Sequence, residues 1–292
     1  RAAALALTEQ NGRITPLRNW YSFTWRELAP AGAAGDRLLE AIARQLKQRG
    51  HRVTLEPVPG EHGSAERLAR AFRAAGWRVH IEPCDINHIL PVRGRSFAEY
   101  WDSRPGPLRT TLKRKAKKVE VEVLTRFDAS VWAEYAAIYA ASWKPAEDHP
   151  AMLHAFAQAE GAAGRLRLGI ARADRVAVAA QCWTVENSIA YIHKLAHLES
   201  HKQLSAGTTL SAALFQHVID RDTVTLVDFG TGDQSYKVDW MEEARPRYRI
   251  DCLDAGQPTA WAPLAKRMVR GLRADAQPSL GPEALARSSV HG

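Results

Sequence analysis

The sequence predicts an α/β fold, and three observations carry that reading. Helical and strand-like stretches alternate within about 50 residues of the first half. The run Val176-Ala-Val-Ala-Ala-Gln-Cys-Trp-Thr-Val is apolar on both faces, as a central strand is, and Glu186-Asn-Ser turns it into a hairpin partner. A helix start at Ser205-Ala-Gly and a strand ending in Asp228 then complete the second half.

The elements follow in order. Asp36 is expected to cap a helix with Leu38, Leu39, Ile42 and Leu46 on one stripe, ending at Gly50. Arg52-Val-Thr-Leu-Glu is a short strand closed by Pro57-Val-Pro-Gly. Ser64 caps a second helix that buries Leu68, Ala71, Phe72 and Ala75 and stops at Gly76. Trp77-Arg-Val-His-Ile-Glu is the next strand.

Ser96 opens a helical stretch with Phe97, Tyr100 and Trp101, interrupted by Pro105-Gly-Pro. Leu108, Leu112, Ala116 and Val119 then share one helical face, and Arg109, Lys113, Arg114, Lys115, Lys117 and Lys118 cover the rest. A domain boundary is expected here, giving residues 1–95, 96–274 and a loose Pro/Ser/Gly/Ala-rich tail over 275–292.

In the second half Asp128 caps a helix carrying Val131, Trp132, Tyr135, Ile138 and Tyr139. Another helix covers 150–161, and Leu166-Arg-Leu-Gly-Ile alternates as a strand. Ile189-Ala-Tyr-Ile-His-Lys-Leu is the hairpin partner, with His193 sharing a face with Ile189, Tyr191 and Leu195, and Lys194 pointing the opposite way. The helix from Ser205 carries Leu210, Leu214, Val218 and Ile219, and Val224-Thr-Leu-Val-Asp is a further strand.

With 292 residues, 46% hydrophobic and 25% charged, the chain can bury a core and is neither disordered nor fibrous. No apolar run approaches the roughly 20 residues of a bilayer span, so membrane insertion is not expected. The opening Arg1-Ala-Ala-Ala-Leu-Ala-Leu is shorter than a signal peptide and lacks Met, which reads as a trimmed start. Cys84, Cys182 and Cys252 stand far apart, which excludes a disulfide scaffold and fits a reducing cytoplasm. His193, His197 and His201 repeat every four residues, but no carboxylate pattern supports a metal site and none is expected. No Gly-x-Ser-x-Gly elbow, Walker or Rossmann fingerprint is present. The net charge of +8 suits an anionic partner without choosing among nucleic acid, phosphate, a CoA-type molecule and a membrane surface.

A helix N-terminus directs free N–H groups and partial positive charge outward. Ser205, Ala206, Gly207 and Thr208 at such a start form a candidate diphosphate cradle, since Gly207 admits close backbone approach; an ordinary helix cap is the alternative. The second cluster is Asp228-Phe-Gly-Thr-Gly-Asp-Gln-Ser-Tyr236-Lys237-Val-Asp-Trp240. Together these pieces resemble the CelD-type branch of the GNAT acyltransferase superfamily, relatives of the Fem aminoacyltransferases. Phe97-Ala-Glu-Tyr-Trp through the basic helix, and Ser142-Trp143-Lys144, resemble further motifs of that branch, with Ala206 where proline is usual.

The resemblance implies a mixed sheet with two central strands splayed apart to admit an acyl-CoA, most simply acetyl-CoA, and a degenerate GNAT-like N-terminal half in tandem. It implies direct acyl transfer to an amine or hydroxyl on a small molecule or glycan, and CelD-type relatives suggest a sugar-linked acceptor. Tyr236 is then the candidate acid, or a hydroxyl that satisfies a buried backbone group. His193 is the candidate base, because imidazole titrates near neutrality, or else a core histidine. Asp228 either orients substrate or caps the turn before Gly230. Lys194 and Lys237 are candidate contacts to phosphate or acceptor, or solvated lysines. The basic helix leaves a Fem-like donor, aminoacyl-tRNA, open beside a plain solvated face, and a non-catalytic GNAT-fold binding module is a third reading.

Overall fold

The computed structural model describes residues 2–19 and 21–258, so the expected tail over 275–292 lies outside the described residues. In chain order the strands are β1 (Leu7–Gln10), β2 (Arg13–Pro16), β3 (Arg52–Pro59), β4 (Arg78–Pro91), β5 (Glu120–Leu124), β6 (Leu166–Ala173), β7 (Val176–Glu186), β8 (Ile189–His197), β9 (Leu226–Thr231) and β10 (Glu243–Leu253). The helices are α1 (Ala33–Leu46), α2 (Ser64–Ala74), α3 (Phe97–Asp102), α4 (Gly106–Lys115), α5 (Ala129–Ala140), α6 (Pro150–Ala162), α7 (Ala206–Gln216) and α8 (Tyr236–Trp240). The described residues divide into two compact units, one of residues 2–18, 24–84 and 248–258, the other of 19, 21–23 and 85–247.

In the first unit β1 and β2 form a hairpin around Asn11-Gly12, both at positive φ, as a tight primed turn requires. β2 runs parallel to β3, and the strand order continues to β10. α1 and α2 cover this sheet with Leu39, Ala43, Leu46, Leu68 and Phe72, and Trp77 donates its indole N–H to the Ala43 carbonyl at 2.8 Å. Two caps differ from expectation. α1 starts after Gly32, and Asp36 instead accepts from Arg67 Nε at 2.6 Å. α2 starts after Gly63 in the left-handed region, while the buried Ser64 hydroxyl donates to Glu27.

In the second unit the strand order is β4-β9-β8-β7-β6-β5. β5 to β8 are antiparallel neighbours, β8 and β9 are parallel, and β9 pairs antiparallel with β4, so the sheet is mixed. α7 packs Leu210, Leu214 and Phe215 against Ala171, Val178 and Trp183 on one face. A Cβ at Gly169 would lie 2.9 Å from both leucine side chains, so α7 sits close on β6 there. α5 and α6 cover the other face with Val131, Trp132, Tyr135, Leu153 and Ala157 over Leu168, Ile170 and Cys182. Each fully buried side chain of this size contributes about 1.5–3 kcal/mol.

Caps in this unit follow the sequence. Ser96 and Glu99 form a reciprocal capping box on α3. Asp128 accepts from the backbone N–H groups of Ser130 and Val131 and fixes the start of α5. Among the described residues no helix is long and apolar enough to cross a membrane.

Candidate functional site

The site begins where two strands part. β8 and β9 pair only at Ile189↔Leu226, Ala190↔Val227 and Tyr191↔Asp228. Beyond that point β8 stays with β7 as far as His197↔Ala179, and β9 stays with β4 as far as Thr231↔Asn87. Each strand keeps its outer neighbour, so the inner edges diverge into a wedge with peptide groups that have no strand partner.

A bulge in β8 shapes the wedge. Cys182 opposes Lys194 and Trp183 opposes Ile192, which leaves His193 as the extra residue. His193 and Lys194 therefore both line the same cavity, against the expectation that they point apart. Ala190 and Ile192 belong to the α7-side core, whereas Ala196 belongs to the α5-side core.

The cavity measures about 630 Å³ and lies within the second unit. Tyr21, Phe23, Tyr139, Trp143, Phe229 and Tyr236 give it aromatic walls. Tyr236 sits at the start of α8, its ring edge-on to Phe229 at 5.7 Å, and burial raises its hydroxyl above the ordinary phenol range, so it stays protonated. A protonated phenol at a wedge is a proton donor.

Burial moves His193 down to about 4, so the imidazole is neutral at pH 7 and its titration is shifted away from neutrality. Its Nε2 bonds Thr184 Oγ1 at 2.8 Å, and its buried Nδ1 has no protein partner. Phe23 and Phe156 approach it edge-on at 5.0 and 5.2 Å.

Lys194 forms an ion pair with Glu147 at 2.8 Å and donates to the Tyr139 hydroxyl at 3.2 Å. Burial alone would raise the Glu147 carboxyl, but the Lys194 ammonium and the adjacent Tyr21 hydroxyl hold it below its ordinary value. Lys237 donates to the Thr231 carbonyl at 2.6 Å. Burial lowers its ammonium to about 8, with Asp85 and Asp228 opposing.

Asp228 caps the turn: its Oδ1 accepts from Gly230 N–H at 2.8 Å and from Asn87 Nδ2 at 2.7 Å. Its carboxylate is buried and absent from the cavity lining. Burial raises its pKa against these hydrogen bonds.

The start of α7 stands at the far end of β8. Ser205 takes the left-handed conformation, and Ala206 is the first helical residue, the position at which proline is also accepted. Ser205 Oγ accepts from Lys115 at 3.2 Å rather than capping the helix. Gln181 donates to the Gly207 carbonyl and to Ser211. A Cβ at Gly207 would lie 3.7 Å from His197 Nδ1. Gly207 and Thr208 are partly exposed and Ala206 is buried.

Sequence reasoning passed over Tyr21, Phe23, Glu147 and Asn87. Only the aromatic density of Tyr21-Ser-Phe23-Thr-Trp25 hinted at the first two. Among the described residues no group of three His, Cys, Asp or Glu is placed to hold a metal; His193, His197 and His201 each bond elsewhere.

Residues 107–238 match the family model described as an acetyltransferase (GNAT) domain, and they span the wedge, the α7 start and Tyr236. The fold is a GNAT fold. Solved structures agree at the level of fold. L-PGS from Bacillus licheniformis is 12% identical, with a TM-score of 0.59, over 91% of this chain and 85% of that one. FemX is 11% identical, TM-score 0.59, over 85% of this chain and 83% of its own. A tandem GNAT protein from the clavulanic acid biosynthesis pathway is 14% identical, TM-score 0.51, over 85% and 78%. No curated protein matches significantly in sequence. The matched residues thus hold the parted strands and the partly exposed start of α7.

Proposed function

We propose that the protein is an acyltransferase of the CelD-type branch that uses an acyl-CoA, most simply acetyl-CoA, and moves the acyl group directly to an amine or hydroxyl. The parting of β8 and β9 beyond Tyr191 and Asp228 carries the reading. A pantetheine arm is a chain of amides, and the free edge of β8 offers it peptide partners. The N-terminus of α7, with Gly207 lacking a Cβ, suits the diphosphate. The aromatic cavity suits a ring-shaped acceptor such as a sugar. In this reading residues 1–95 are a degenerate second GNAT-like half, and the chain works in the cytoplasm.

The acceptor lone pair attacks the thioester carbon, the C–S bond breaks, and the departing sulfur takes the Tyr236 proton. The proton lost by the acceptor returns to the Tyr236 phenolate. His193 lines the cavity as a neutral imidazole at pH 7 and shapes its wall rather than storing the acceptor's proton. Asp228 shapes the glycine turn behind the site. Lys194 holds the 147 loop, and Lys237 lines the wall beside Phe229 at 5.3 Å.

Acetyl-CoA at millimolar concentration is expected to raise the thermal midpoint by mass action and to release free thiol when an acceptor is supplied. Absence of any shift overturns the donor.

One observation favours a second reading. Arg109, Lys113, Arg114, Lys117 and Lys118 are exposed, with no ion pair among the described residues, so an aminoacyl-tRNA donor has a surface to dock on. FemX and L-PGS share this fold.

A further inference from the structure

The Ser142-Trp143-Lys144 segment has no role in the reaction above, yet it forms part of the cavity wall. Three ammonium groups line that wall. Lys194 is neutralised by Glu147 at 2.8 Å, and Lys237 donates to the Thr231 carbonyl at 2.6 Å. Lys144 is different. Among the described residues its Nζ has neither an ion pair nor a hydrogen bond, and it lies over the Trp143 ring, 5.3 Å from the centroid.

Trp143 is itself half-exposed, with its ring against His197 at 4.3 Å. It offers an apolar shelf next to an uncompensated cation. The carboxylates in the lining are Glu147, already paired with Lys194, and the exposed Asp148 at the rim.

We propose that Lys144 receives an oxyanion, a carboxylate or a phosphate, carried by the acyl acceptor, with Trp143 as the shelf beside it. The assignment to the acceptor rests on reading this cavity as the acceptor site. The donor diphosphate is allotted to the α7 start, whose residues are absent from the cavity lining.

Electrostatics supports the assignment. Burial lowers the Lys144 ammonium, and the Lys194 charge lowers it further. Lys144 in turn depresses Lys237. Crowded like charges are relieved by an incoming anion, and a charge-assisted hydrogen bond forms where none exists in the protein.

The test is titration of the whole protein with inorganic phosphate and, separately, acetate, followed by thermal midpoint at constant ionic strength. Wild type is expected to be stabilised by at least one of the two, and the stronger response names the oxyanion. Lys144→Gln is expected to weaken that response roughly tenfold or more, and Lys144→Arg to keep most of it. Arg73→Gln, exposed on α2 of the first unit, is expected to leave it unchanged. A full response in Lys144→Gln overturns the proposal. Should that variant fail to fold, Lys144→Met answers the same question with the alkyl stem retained.

The response is also measured with CoA at saturation. Persistence supports an acceptor-borne anion, whereas loss through competition assigns the anion to the donor and overturns it. Phosphate binding needs no thioester, so a Lys144-dependent response in a protein that ignores acetyl-CoA keeps the anion site and discards the donor.

Discussion

Lys115 Nζ lies 3.2 Å from Ser205 Oγ and 2.7 Å from the Gln203 carbonyl. One cation of the basic helix thus braces the α7 start, while the others face solvent. The two roles are separable. Lys115→Met is expected to weaken CoA binding about threefold to tenfold by loosening that start, as loss of a charged hydrogen bond would. Replacing Lys113, Arg114, Lys117 and Lys118 by Gln is expected to leave acetyl-CoA turnover within about twofold and to reduce any salt-sensitive tRNA binding. Loss of acetyl-CoA turnover in the quadruple variant would contradict this division.

Tyr236→Phe removes the only atom the phenol contributes to proton transfer and keeps the ring on Phe229. Turnover is expected to fall about 10²-fold, with CoA affinity unchanged. Steady-state kinetics beside a binding isotherm separates the two, and unaltered turnover removes Tyr236 from the mechanism.

Gly207 faces open space apart from His197, 3.7 Å from where a Cβ would stand. Gly207→Ala is therefore expected to fold normally. Gly207→Val, whose branched side chain occupies the approach to the helix start, is expected to lose roughly tenfold or more in CoA affinity at an unchanged thermal midpoint. Wild-type affinity in the valine variant would place the diphosphate elsewhere.

His193 has a pH signature. Its folded-state pKa, about 4, is below the ordinary 6.5 because burial penalises the charged ring. A depressed pKa contributes stability that is present above pH 6.5 and lost as pH falls through 4. Wild type is expected to lose roughly 3 kcal/mol from this group across that window. His193→Gln should flatten that part of the curve in denaturant unfolding at stepped pH. An equally steep loss in the variant would assign it to other groups.

Local chemistry made much of the fold legible. Asp128, the Ser96/Glu99 box and the apolar stripes of α2 and α5 state their elements in residues three or four apart. The Asn11-Gly12 hairpin carries an equally local signal, two residues at positive φ between two short strands. β10 was hidden because Arg245, Pro246 and Arg247 interrupt its alternation. The Asp36 and Ser64 caps misled because each side chain found a partner distant in sequence, Arg67 and Glu27. At the site, Tyr236 and Gly207 lie in short motifs. Tyr21 and Phe23 reach His193 and Lys194 from about 170 residues away, and no local pattern encodes such a meeting.

The extra residue in β8 has a consequence for any variant made there. Upstream of it, alternate side chains feed the α7 layer; downstream, the same alternation serves the opposite layer. Deleting His193 would leave Ile192 opposite Trp183 and Lys194 opposite Cys182, so it would restore regular pairing without turning either side chain over and would remove only the extra ring from the cavity wall. A one-residue shortening at His193 therefore straightens β8, whereas the same deletion at a regularly paired position would turn the residues beyond it to the opposite layer.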